Sequence, residues 1–74
     1  MMKDEERRIA ELLRDRMAKI ITELKRAYDN AKDLSENHDW DINYFDMCEA
    51  YMNLAHDFIY VMAMLEEDKK GGEK

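Results

Sequence analysis

Asp39, Asp41 and Asn43 stand at alternate positions in "DWDIN", the spacing that opens a calcium-binding loop between two helices. Such a loop needs glycine at its sixth position, where the chain turns sharply, and a bidentate glutamate at its twelfth. Counted from Asp39 those positions hold Tyr44 and Ala50, so the calcium reading fails twice. As a helix start the same residues fit better. Asp41 would cap the helix, Trp40 would staple onto Phe45, and Asp39 would sit near the positive end of the helix dipole. No metal role is assigned to Asp39, Asp41 or His38.

Asn53 and His56 have the three-residue spacing of a di-iron Glu-x-x-His pair, but with an amide where the carboxylate ligand should be. His56 then reads as a partly buried histidine at an interface. Asp46, Glu49, Asn53 and His56 form a polar stripe at three-and-four spacing, the wet edge of a core or a surface for a cation or a basic partner. Cys48 falls among apolar residues, with no histidine at helical contact spacing to activate it, and reads as a small hydrophobe rather than a nucleophile. Met47, Met52, Met62 and Met64 read as packing residues, or as the adaptable lining of a groove. No cofactor is implied.

The elements that carry these residues are helices. The chain has 74 residues, no proline, and glycine only at Gly71 and Gly72. Apolar residues recur at Ala10, Leu13, Met17, Ile20, Leu24, Ala27, Ala31 and Leu34, alternately three and four apart, as a helix packed lengthwise on another requires. Pairs such as Asp4 and Arg8, Asp15 and Lys19, and Glu23 and Arg26 add neighbour spacing for ion pairs. This predicts a first helix over 3–34, a polar connection over 35–41, a second helix over 42–69 and a flexible tail over 70–74. The second helix carries two stripes. One is Phe45, Cys48, Met52, Ala55, Ile59 and Met62; the other is Met47, Tyr51, Leu54, Phe58, Val61 and Leu65, displaced by one residue and so about 100° around the axis.

A lone hairpin covers only one such stripe. The second, Met47 to Leu65, is expected to meet another chain, which makes the fold class all-α: an antiparallel two-helix hairpin dimerising into a four-helix bundle. A chain this short also has a marginal core, burying only about 60% of its unfolded surface. Its single cysteine excludes an internal disulfide.

Charge divides the chain in two. Residues 1 to 34 hold nine Lys or Arg against eight Asp or Glu, whereas residues 35 to 68 hold nine acids and no Lys or Arg. Such a surface repels phosphate backbones, so no direct nucleic-acid binding is expected of that half. It attracts cations or basic proteins; the expected partner surface is Asp46, Glu49, Asp57, Glu66, Glu67 and Asp68. The charged start "MMKDEERR" lacks the apolar core of a signal peptide, and the longest apolar run is too short to span a bilayer. A soluble, cytoplasmic protein without membrane association is expected.

Small residues Ala10, Ala27, Ala31 and Ala55 interleave with Leu13, Ile20, Leu24 and Ile59, and in this layout the chain resembles the Rop-like helical hairpins that pair into four-helix bundles. The resemblance covers most of the chain and is architectural. The RNA-binding regulatory role of that family needs a basic helical face; the first helix, with Arg7, Arg14, Lys25 and Lys32, offers only a weak one. "NLAHDFIYVMAMLEE" resembles the second helix of the MazG-like nucleotide pyrophosphohydrolases. That resemblance implies a magnesium-dependent enzyme built on Glu-x-x-Asp, where this chain has Asn53 and Asp57 four apart and no facing Glu-Glu-x-x-Glu set. The favoured expectation is non-enzymatic: a small acidic adaptor or inhibitor of a basic protein, acting as a helical dimer, of a size that would suit a virus, plasmid or accessory gene.

Overall fold

The computed structural model describes residues 2–72. Two helices, α1 (Asp4–Asn37) and α2 (Phe45–Gly72), are the only regular elements among them, joined by a short connection. They lie antiparallel: Arg7 reaches Asp68 at one end, and Tyr28 meets Tyr44 at the other. The all-α helical hairpin is therefore as the periodicity implies, while α1 ends, and α2 begins and ends, three residues later than the spacing suggests. The rest of the expected tail, beyond Gly72, lies outside the described residues.

The shift at the connection has a local cause. α1 continues past Leu34 until Asp39 adopts φ 61°, the left-handed conformation that reverses a chain. The Leu34 carbonyl accepts the N–H groups of both His38 and Trp40, at 3.2 and 3.0 Å, which satisfies a helix-end acceptor that would otherwise be orphaned. Aspartate tolerates this conformation better than most residues, and no glycine is available nearby. Asp39 thus ends α1 rather than supporting the start of α2.

The cap of α2 is also displaced. Asn43 Oδ1, not Asp41, accepts a hydrogen bond from a backbone N–H at the helix start, that of Phe45 at 3.1 Å. The first helical bond runs from Cys48 N–H to the Tyr44 carbonyl. Trp40 and Phe45 are both largely exposed, so the expected staple does not form. Tyr44 is what holds the connection. Its ring stands edge-on to Tyr28 with centroids 5.8 Å apart, stacks on Phe45 at 4.9 Å, and its hydroxyl donates to Glu36 at 3.1 Å. The bond to Glu36, ahead of burial and the carboxylate's charge, raises the Tyr44 pKa above the usual phenol value.

The seam between the helices is thin. Met17 and Ala31 are the only buried hydrophobic residues among those described, and no large side chain is fully enclosed. The molecule is a rod of 58 × 15 × 14 Å with a radius of gyration of 16.8 Å, where a compact chain of this length gives about 11 Å. Of the expected surface ion pairs, Glu23 and Arg26 meet at 3.0 Å, whereas Asp15 pairs with its neighbour Arg14 rather than with Lys19. Exposed pairs of this kind contribute about 0.3–0.5 kcal/mol each, too little to replace a core.

Candidate functional site

On α1, Met17 and Ala31 are buried at the seam, with Ala10, Ile21, Leu24 and Tyr28 half-buried. Leu13 and Ile20 fall to one side of that line and are exposed, 47% and 53%. Five of the eight residues of the expected apolar stripe are therefore in the seam, and Leu13, Ile20 and Ala27 are open. On α2 the two stripes separate only in part, since Cys48 and Ala55 of the first are half-buried too. Met47, Tyr51, Leu54, Phe58, Val61 and Leu65 are all half-buried, turned towards α1. Met52 and Ile59 of the other stripe are 63% and 65% exposed, and Phe45 and Met62 are exposed beside them. The stripe expected to meet a second chain is thus the one that lines the hairpin's own seam, and the open apolar ridge is the one from Phe45 to Met62. Tyr44, just before α2, and Asp68, near its other end, are both tied to α1 in this rotation.

Asp68 does not belong to the acidic outer surface. It is 7% exposed, the one buried charged side chain among the described residues. Its Oδ2 accepts from Arg7 Nε at 2.8 Å and lies 2.5 Å from Arg7 Nη2, while Oδ1 accepts the Met2 amide at 2.6 Å. The Met2 amide, and after it the Arg7 guanidinium, hold its pKa below the usual carboxylate range against the opposing effect of burial. The other expected acids, Asp46, Glu49, Asp57, Glu66 and Glu67, are exposed along α2. A clue to the difference lies in the numbering: Val61, Leu65 and Asp68 continue the inward stripe at intervals of four and three.

Two hollows run along one flank of the seam. Near the free ends a groove of about 660 Å³ is lined by Arg7, Glu11 and Arg14 of α1 and by Met62, Leu65 and Glu66 of α2, among others. Towards the connection, a hollow of about 200 Å³ is lined by Lys25, Tyr28, Cys48, Tyr51 and Met52. Cys48 is half-buried there, in keeping with a small hydrophobe. His56 is exposed, not partly buried, within the single chain, as are Asn53, Asp46 and Glu49 of its polar stripe. Among the described residues no three His, Cys, Asp or Glu side chains converge to hold a metal ion. No described helix is long and apolar enough to cross a membrane.

No family model, curated protein or solved structure matches this chain. The site is therefore read from its own surface. What that surface offers is area and charge rather than a constellation of reacting groups: an open apolar ridge on each helix, acids along the outside of α2, and cations along one side of α1.

Proposed function

We propose that this chain is a small non-enzymatic protein–protein interaction module that completes its core by associating with another helical surface, in the first instance a second copy of itself. The observation carrying this reading is the mismatch between covered and uncovered apolar residues. Among the described residues two hydrophobic side chains are buried, while Ile9, Leu13, Ile20, Met52, Ile59 and Met62 stand open. The chain exposes 6179 Å², where a folded monomer of 8.9 kDa exposes about 4,800 Å². Helices that leave an apolar stripe uncovered are stabilised by a second layer, and a twofold four-helix bundle is the simplest closed form.

The acids along α2 give this module a preference among other partners. Asp46, Glu49, Asp57, Glu66 and Glu67 are exposed with no cation among them, which favours a basic protein and a role as its adaptor or inhibitor. Sedimentation velocity over a wide concentration range tests the association; a monomer at every concentration would remove it. Release of pyrophosphate from nucleoside triphosphates with magnesium would instead support a MazG-like enzyme and overturn the non-enzymatic assignment. Salt-sensitive binding of a structured RNA would favour the Rop-like regulatory role.

A further inference from the structure

The two open apolar ridges lie on opposite faces of the hairpin. The shared hollows put Arg7, Arg14 and Lys25 of α1 on the same face as Cys48, Met52 and Met62 of α2. Leu13 precedes Arg14 by one residue, a step of about 100° around the helix. It falls across the seam line on the other face, together with Ile9 and Ile20. By the same spacing Asp46, Ala50, Asp57 and Met64 flank α2 on that second face, since they precede the inward Met47, Tyr51, Phe58 and Leu65 by one residue each. Each face therefore pairs one apolar ridge with one charged edge. The first has the α2 ridge, with Glu66 on its flank, beside Arg7, Arg14, Lys25 and Lys32, the first three of which already pair with Asp68, Asp15 and Asp29, and Glu11 lies one step further round. The second has the α1 ridge, with Arg16 between Leu13 and Ile20, beside Asp46 and Asp57, and no cation on that edge of α2.

We infer that copies of this chain associate face to opposite face, the Met52–Ile59–Met62 ridge of one copy lying on the Ile9–Leu13–Ile20 ridge of the next. This rests on the reading of the chain as a self-associating module and replaces its simplest twofold form with an open one. Turning the second copy end over end sets apolar ridge on apolar ridge and, along the parallel line of contact, the α1 cations against Asp46 and Asp57. A twofold contact does neither as well. Closing the second face on itself sets the acidic edges together or buries them under an apolar ridge; closing the first face on itself does the same with the cations. Area points the same way. The surface in excess of a compact monomer is roughly 1,400 Å², more than the about 800 Å² per partner of one standard interface and nearer to two. A contact between unlike faces leaves one of each free, so assembly continues beyond the dimer.

Ile59→Asp and Ile20→Asp each disable one face at an exposed position, and circular dichroism should show helix content unchanged in both. In sedimentation velocity the wild type should form species larger than a dimer as concentration rises. Each variant alone should remain monomeric, because it retains only one working face. An equimolar mixture should form a 1:1 complex that grows no further, with Leu13→Asp and Met52→Asp as a second pair should either first variant lose its fold. A wild type that stops at a dimer, broken by only one variant and not restored by mixing, would overturn the opposite-face arrangement and leave self-association standing. A wild type that stays monomeric throughout would remove both.

Discussion

The ends of this hairpin and its middle are held by different physics. At the free ends a buried carboxylate is shared between Arg7 and the Met2 amide, and at the connection Tyr44 bridges Tyr28 and Glu36 while Asn43 and Asp39 set the helix boundaries. Each contact is directional, and no buried side-chain polar atom among the described residues lacks a partner. The middle has no such ties. There Met17 is buried, but Leu24, Leu54, Phe58 and Val61 are only half-buried. Directional contacts thus tie α2 to α1 at the ends, while the apolar area that should supply most of the stability is half unused.

The largest effect separates the seam from the open ridge beside it. Phe58→Asp puts an unpaired charge into the seam and should cost several kcal/mol, melting the helices. Ile59→Asp, one residue on, should leave the helices formed while preventing association. Thermal melts followed by circular dichroism at low concentration check the contrast; equal loss of helix in both variants would mean that the two stripes are not distinguished.

At the free ends, Arg7→Met leaves Asp68 without its cation and should loosen the first turn of α1 and the last turns of α2, seen as faster amide exchange there and not at the connection. The pH dependence follows from the direction of the Asp68 shift. Its folded pKa lies below the unfolded value of about 3.9, so its contribution is present above that value and lost as pH falls through the folded one. Protection against exchange at the free ends of the wild type, taken relative to the intrinsic amide rate, should therefore fall below about pH 4. In Asp68→Asn that fall should be absent.

At the connection, Asn43→Ala should cost about 1 kcal/mol through the lost cap, and Asp41→Ala within about 0.5 kcal/mol of nothing. The reverse order in urea titrations would return the cap to Asp41. The smallest effect belongs to Asp39. Glycine there relieves the left-handed backbone and should be neutral or stabilising by up to about 1 kcal/mol, whereas a β-branched valine should cost at least as much. Denaturant midpoints of the two variants on opposite sides of the wild type would confirm that Asp39 terminates α1.

The hairpin itself was legible because nothing from Lys3 to Lys70 breaks a helix except the cluster around Asp39, and the apolar spacing is helical on both sides of it. The boundaries were less so. Asp41 and Asn43 are equally good caps by residue type, and only the reach of Tyr44 to Glu36 and Tyr28 selects the later one. Which stripe of α2 turns inward could not be read from hydrophobicity, since both are apolar. Asp68 was hidden for a similar reason. In "EED" it looks like one more solvated acid, and its burial follows from its register with Leu65 and from Arg7 sixty-one residues earlier.

The dependence of melting temperature on protein concentration tests the central claim most directly. A hairpin stabilised by a second layer from another copy binds that copy only when folded, so its melting temperature should climb steadily as concentration is raised. A sharp, cooperative transition at one temperature over a hundredfold range of concentration, from a species that sediments as a monomer, would contradict the account.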